Sequence, residues 1–463
     1  MARYWRAAAR TLFGGCVFLA ITGSWLIVQP PELLRVGSSY AAKIVCSNVF
    51  LARRDPAVVL EDVQAPGHPL LRLMRQSVDY SEMTVTASLL GLFAPGYAAY
   101  REGFGCTSVP DGDVLAAREG VAEVSLPKVA PEPADLAWPE GGGGNADPRI
   151  ASILDDPALL GPGVRGVVVI HDGQLVGERY GDGFSADTPL LGWSLTKTVN
   201  AALVGRLMQQ GRLSPAQAGL FPEWQADARA KITVADLLAM QSGLAFDEDY
   251  GDVTDVTRML FLEPNMARFA ASFPLAANPG EKFNYSSGTA ILLSHVFMNA
   301  LGDRWQALSY PATALFAPLG MRSAVMETDE TGIFAGSSYM YATARDWARF
   351  AQLLLNDGQW KGVRLLPEGF VKAMGTPTSV SDGAYSHAQS WIHGPGDVPN
   401  AQYGLPQDTF WMLGHDGQAI ALIPSRNLAV VRLGLTPAAL RYRPQELLKR
   451  IVDTLDRGAD RGA

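Results

Sequence analysis

Cysteine is scarce in this chain: Cys16, Cys46 and Cys106 are the only three in 463 residues. No two of them stand as Cys-x-x-Cys, which removes the zinc-ribbon and dithiol-redox readings. The six histidines, His68, His171, His295, His387, His393 and His415, nowhere take a metal-ligand spacing such as His-x-x-x-His. Metal catalysis has no sequence support, and the chemistry is expected to run without metal or cofactor. Charge is sparse as well: charged residues are 18% of the chain against 48% hydrophobic residues. That balance belongs to a well-cored globular protein and not to a disordered one. The formal net charge is -8 and no basic stripe appears, so nucleic acid finds no electrostatic footprint.

One long uncharged run is present. Thr11 to Val28 carries no charge over 18 residues and follows Arg3, Arg6 and Arg10. The run is just long enough to span a bilayer, and the basic flank keeps the N-terminus cytoplasmic while sending the rest outward. Residues 1–30 are therefore expected to form a membrane anchor, with 11–28 held in the cytoplasmic membrane. A cleaved signal peptide, with Ser39-Tyr40-Ala41 as the small-x-small site, is the alternative. Both export the chain to a periplasmic or other extracytoplasmic space. In that oxidising setting Cys46 and Cys106 are expected disulfide partners, two buried free thiols being the other reading.

Residues 31–126 form an N-terminal region to which no chemistry can be assigned. Residues 127–147, rich in proline and glycine, read as a linker, and 148–463 as the main domain. Within it, Val164 to Ile170 and Gln174 to Arg179 flank the turn signal His171-Asp172-Gly173. Phe410 to His415, Gln418 to Ile423 and Leu428 to Leu433 are strand-like runs near the other end, with turns at Asp416-Gly417 and Ser425-Arg426-Asn427. Between lie helix starts: Ser214-Pro215-Ala216-Gln217 has the form of a capping box, and Thr233 and Thr343 the form of caps. Strands at both ends and helices between predict one antiparallel sheet built from both ends of the domain. Helices flank it and a helical insertion interrupts it, an α/β (α+β) plan.

The chemistry concentrates at Ser194-Leu195-Thr196-Lys197. Positions i and i+3 share a helical face, so the serine hydroxyl and the lysine amine can meet. Serine is a weak nucleophile until a base takes its proton, and lysine serves only when neutral; burial and a helix N-terminus both favour that. Val199, Ala201, Ala202, Leu203, Val204 and Leu207 continue a helix apolar on nearly every side, stopped at Gly211. The spacing alone is weak. Ser125-Leu126-Pro127-Lys128 repeats it across the start of the expected linker, where nothing buries the lysine.

Pro279-Gly280-Glu281-Lys282-Phe283-Asn284-Tyr285-Ser286-Ser287-Gly288 places a tyrosine in a turn before the apolar run Ala290 to Leu293. Gly414-His415-Asp416-Gly417-Gln418 joins two strands near the C-terminus. The order S-x-x-K, then Y-S-S, then a glycine-marked strand edge resembles the serine β-lactamase and DD-peptidase superfamily, with its S-x-x-K, Y-x-N and K-T-G set. The tyrosine is similar to that of its class C side. Over roughly residues 160 to 450 the chain looks most like the β-lactamase-related hydrolases that include aminohexanoate-dimer hydrolases and family VIII esterases. Leu237 to Leu244, Leu315 to Met321 and Ala342 to Asp346 are the supporting phrases.

The resemblance implies a β-lactamase-like fold and a small ester or amide as substrate. It implies that Ser194 forms an acyl-enzyme, Lys197 helps remove its proton, and Tyr285 relays a proton to the leaving group. Trp193, Ser287 and His415 would contact substrate, and the backbone N–H groups of Ser194 and His415 would form the oxyanion hole. The third motif admits two registers, His415-Asp416-Gly417 or Met412-Leu413-Gly414 over Lys-Thr-Gly. Asp-Gly as a hairpin turn favours the second. Two departures weaken β-lactam recognition: Ser287 replaces asparagine, and the lysine of Lys-Thr-Gly is missing. A β-lactamase or DD-peptidase is the enzymatic alternative, and a catalytically silent binding module of the cell envelope the alternative of another class.

Overall fold

The structure is a computed structural model. It describes residues 22–459 except 66, 122–123, 125, 128, 131–132 and 134, together with residues 4 and 13. Most of the expected anchor therefore lies outside the described residues, as do Ser125 and Lys128. Among the described residues no helix is long and apolar enough to cross a membrane.

The chain divides into two compact units. The first comprises residues 1–101, 106–119 and 249–264. Its centre is α1 (Glu32–Phe50), laid along a four-stranded sheet of β1 (Met74–Asp79), β2 (Thr84–Leu89), β3 (Phe93–Arg101) and β4 (Gly105–Ser108) in that spatial order. The close approach of α1 to β3 needs Gly96, where a Cβ would lie 2.3 Å from the Ser39 nitrogen. Cys46 of α1 and Cys106 of β4 form the expected disulfide. Residues 249–264 join this unit despite their distance in sequence. Arg258 pairs with Glu32, and the Phe261 ring meets Tyr40 edge-on at 5.5 Å.

The second unit comprises residues 102–105, 120–248 and 265–463. It carries α2 (Pro148–Leu154), β5 (Val164–His171), β6 (Gln174–Tyr180), α3 (Leu195–Gln209), α4 (Val234–Leu238), α5 (Ser287–Leu301), α6 (Ala344–Leu355), β7 (Phe410–Gly414), β8 (Gln418–Ile423), β9 (Leu428–Gly434) and α7 (Pro444–Ala459). The sheet order is β7-β8-β9-β5-β6, every pair antiparallel. The join between β9 and β5, with Val430 opposite Val169, closes the two ends of the domain into one sheet as expected.

Period-two alternation sorts the strand residues. Val167, Val169, Ala421 and Val430 form one core with Ile150 and Leu154 of α2 and Leu447, Leu448 and Ile451 of α7. The opposite face packs on α6. Thr233 caps α4 in a reciprocal box with Asp236, and Thr343 caps α6.

Two expectations need revision. The glycine-rich part of the expected linker is packed. Trp138 is buried beneath Arg349, the Pro139 and Gly142 carbonyls accept from Arg349 and Arg345, and the Asn145 N–H donates to Leu175 of β6. Ser214-Pro215-Ala216-Gln217 closes a turn, the Gln217 N–H donating to the Ser214 carbonyl, and starts no helix. Gly219 follows where a helix would need an apolar face.

Candidate active site

Ser194 stands at the entrance to α3, whose side chains are buried almost throughout. The chain reaches it through a sharp bend. Trp193 holds a left-handed conformation (φ 48°), which non-glycine residues seldom adopt and which often marks a functional constraint. Gly192 donates to the Met340 carbonyl at 2.9 Å, and a Cβ there would strike the Trp347 ring at 2.3 Å. The bend leaves Ser194 partly exposed between buried neighbours.

Lys197 is 1% exposed. Its Nζ donates to Ser194 Oγ at 3.0 Å, Ser287 Oγ at 3.1 Å and the Ser337 carbonyl at 3.0 Å. Desolvation lowers its pKa to about 8, against the opposing pull of the Glu248 carboxylate. Roughly a tenth of the amine is then neutral at pH 7, far more than for a solvated lysine.

The second element is α5. Ser286 caps it, accepting the Thr289 N–H at 3.0 Å, which fixes Tyr285 just outside the helix. Two buried bonds lock α5 to α3: Asn200 Nδ2 to the Ala290 carbonyl at 2.8 Å and Ser294 Oγ to Asn200 Oδ1 at 3.2 Å. Lys197 Nζ lies 4.7 Å from the centre of the Tyr285 ring. The ring packs on Trp391 at 5.0 Å and edge-on to Tyr385 at 5.7 Å. Burial, and then the negative Glu248, push the Tyr285 phenol well above its ordinary pKa, opposed by hydrogen bonding with Ser194 and Trp391. The phenol is neutral at physiological pH and is placed to donate a proton.

Ser287 is fully buried and does not face a substrate as expected. Its hydroxyl donates to Glu248 Oε1 at 2.5 Å, its N–H donates to Glu248 Oε2 at 2.7 Å, and its oxygen accepts from Lys197. A buried ammonium demands acceptors, and Ser287 supplies one while passing the contact on to a carboxylate. Sequence reasoning missed Glu248, which sits in the acidic trio Asp247-Glu248-Asp249 and reads as a solvated loop. It also missed Trp391, held to Trp411 of β7 by paired backbone hydrogen bonds of 2.8 and 2.7 Å.

At the third motif, β7 ends at Gly414, paired with Gln418. His415-Asp416-Gly417 makes a three-residue turn with Asp416 left-handed (φ 55°), one residue longer than the expected two-residue hairpin. Only glycine suits position 414, where a Cβ would sit 2.3 Å from the Gly192 carbonyl. That approach sets the β7 end against the backbone leading into Ser194. The His415 side chain is 52% exposed and packs edge-on against Trp193 at 5.6 Å. Arg432 and Gln418 hold the turn from behind through the Gly417, His415 and Asp416 carbonyls. Ser194, Lys197, Tyr285 and Ser287 thus converge, and Trp193 with His415 forms an adjoining wall.

Residues 158–440 match the family model described as beta-lactamase. The 6-aminohexanoate-dimer hydrolase of Paenarthrobacter ureafaciens is 26% identical over 295 residues, which cover 58% of this chain and 72% of that protein. Two solved structures share the fold. A Bacillus anthracis protein provisionally named a 6-aminohexanoate-dimer hydrolase has a TM-score of 0.56 at 21% identity, covering 76% of this chain and 96% of its own. A class C beta-lactamase has a TM-score of 0.51 at 18% identity, covering 66% and 96%.

Proposed function

Because this chain belongs to the beta-lactamase family of hydrolases, we propose that it cleaves a small ester or linear amide through an acyl-enzyme on Ser194. The observation that carries this reading is the buried Lys197 amine, 3.0 Å from Ser194 Oγ with its pKa lowered to about 8. As the Ser194 oxygen attacks the carbonyl carbon, its proton passes to the neutral Lys197. The oxyanion is received by the backbone N–H groups of Ser194 and His415. Tyr285, a neutral phenol, hands a proton to the departing alcohol or amine and takes one from the water that later releases the acid, while Lys197 returns its proton to the Ser194 oxygen as the acyl group leaves. No cofactor enters any step.

The amide arm of the reading draws on the relative named as a 6-aminohexanoate-dimer hydrolase. The bias against β-lactams draws on position 287. Its serine is engaged by Lys197 and Glu248, so it offers no amide to a penicillin side chain, and no Lys-Thr-Gly lysine is present for the carboxylate. A neutral hydrogen bond contributes about 0.5–1.5 kcal/mol and one to a charged group about 1.5–3 kcal/mol, so losing one of each lowers transition-state binding by roughly two orders of magnitude.

The same reading places the enzyme outside the cytoplasm, anchored by residues 11–28. The arginine-flanked uncharged run and the Cys46–Cys106 bond support it. The test of substrate class compares kcat/KM for a short p-nitrophenyl ester and for a chromogenic cephalosporin on one preparation, with Ser194→Ala as background. The ester is expected to be the better substrate. A cephalosporin value equal to or above it would favour a β-lactamase.

A further inference from the structure

The first unit contains a turn that its own fold does not explain. β2 and β3 are joined through Leu89-Leu90-Gly91-Leu92-Phe93, in which Gly91 (φ 79°) is the one residue of the kinds that hairpin turns ordinarily carry, Gly, Asn, Asp or Ser. Leu90 sits at φ 54°, a left-handed conformation that asparagine or glycine would take with less strain. Its side chain is 52% exposed and that of Leu92 73% exposed, so neither leucine is there for the core. Leu73, 42% exposed, lies alongside, its carbonyl accepting the Leu90 N–H at 2.9 Å.

The opposite end of the same sheet is built differently. The β1–β2 turn mixes polar and apolar residues: Asp79 accepts from the Ser81 N–H, the Ser81 hydroxyl and the Glu82 N–H, while Tyr80 and Met83 are 64% and 41% exposed. The sheet therefore has one end whose exposed turn side chains are leucines and one whose turn is tied by a carboxylate, and α1 relates them. Its far end, Phe50, meets Tyr80 of the β1–β2 turn at 6.0 Å, and its start follows residues 22–28, which are helical. Gly23 lies against the Phe93 ring, a Cβ there being 3.8 Å away. Trp25, Ile27 and Val28 are 50%, 64% and 78% exposed. The described end of the uncharged run, residues 22–28, thus lies at the leucine turn.

Arg72 and Arg75 stand exposed beside it, Arg75 next to Gly91. The acidic residue that opens α1, Glu32, is paired with Arg258. A convex apolar tip, a tryptophan at the edge of an uncharged run, and two flanking arginines match the layering of an anionic bilayer surface: acyl chains, interfacial aromatics, phosphate headgroups.

We propose that the Leu89–Phe93 turn inserts into the interfacial layer of an anionic membrane beside the anchoring segment, giving the first unit a second point of attachment. A single hydrophobic anchor leaves a domain free to tilt; a second contact fixes its orientation. The proposal rests on the anchored reading above and goes beyond it.

The test uses the full chain reconstituted in vesicles of phosphatidylcholine and phosphatidylglycerol, with nitroxide labels read by power saturation against oxygen and a water-soluble nickel complex. The label is placed at Leu92→Cys in a Cys16→Ser background. Leu440→Cys, 55% exposed in the second unit, is the aqueous control, and native Cys16 reports the anchor. The expected result is an oxygen-to-nickel accessibility ratio at position 92 several-fold above that at 440, falling when phosphatidylglycerol is omitted. A ratio at 92 equal to that at 440, with Cys16 lipid-exposed, overturns the docking while the anchor stands. Cys16 also in water overturns the anchor itself. Dipolar broadening between 92 labels on two copies overturns the lipid contact in favour of self-association.

Discussion

Glu248 lies 4.0 Å from Lys197 and is joined to it through the Ser287 hydroxyl, which accepts from the lysine and donates to the carboxylate. The lysine therefore feels two opposed influences. Desolvation disfavours its charged form, and the carboxylate favours it. Desolvation wins, and the amine is poised near pH 8 instead of above 10.

The pH dependence of kcat/KM is expected to rise through about pH 8, because in the proposed mechanism only neutral Lys197 takes the Ser194 proton. Removing the negative charge in Glu248→Gln leaves desolvation unopposed, so the rising limb should move to lower pH. With Ser287 deprived of its charged acceptor, kcat should also fall by about an order of magnitude. A purely structural role for Glu248 would lower activity at every pH and leave the limb where it was. Burial of Lys197 has a stability sign too. Its folded pKa of about 8 lies below the ~10.4 of an unfolded lysine. Below pH 8 the destabilisation is fully present, and between those values the unfolded chain binds more protons, so stability rises with pH. Lys197→Met should reduce that rise, measured as the difference in Tm between pH 7.5 and 10.

Under the proposed mechanism, Tyr285→Phe should separate the two halves of the reaction. A p-nitrophenolate departs without a proton, so acylation by a p-nitrophenyl ester should survive while deacylation slows. The expected trace is a burst followed by slow turnover. An anilide, whose leaving amine needs the proton, should lose roughly 10²–10⁴ in rate. Equal losses on both substrates in the acylation phase would contradict a leaving-group role.

The sheet was legible because its turns are spelled in the chain. His171-Asp172-Gly173 and Ser425-Arg426-Asn427 sit between strand-length apolar runs, and the structure puts turns at both. The Ser194 helix was legible for a related reason, since an apolar run that buries every face leaves one lysine at its start. Glu248 was not, because an acidic loop carries no periodicity and becomes chemically meaningful only when folded against Ser287. Position 287 misled for the converse reason: alignment with an asparagine suggested a substrate contact, while the buried ammonium beside it claims the hydroxyl. Trp138 was the signal against a loose linker, being a large apolar side chain in a glycine-rich stretch with no reason to remain in water. The acidic trio leading into residues 249–264 reads as a loop and not as a unit boundary, so nothing in the chain marked their place in the first unit.

The Cys46–Cys106 bond closes a separation of 60 residues. Chain-entropy arguments give such a loop roughly 2–5 kcal/mol of stabilisation. The double variant Cys46→Ser/Cys106→Ser should lower the unfolding temperature of the first unit. Non-reducing peptide maps of protein recovered from the cell envelope should show the two cysteines linked and Cys16 outside the bond. Free thiols at both positions in that material would contradict the oxidising location.

Covalent labelling of Ser194 tests the central claim most directly. The enzyme is treated with a fluorophosphonate, digested and mapped by mass spectrometry, alongside Ser194→Ala. The expected outcome is one modified residue, Ser194, with labelling and ester turnover both lost in the variant. Undiminished turnover in Ser194→Ala, or the label on Ser125 or another serine, would contradict it.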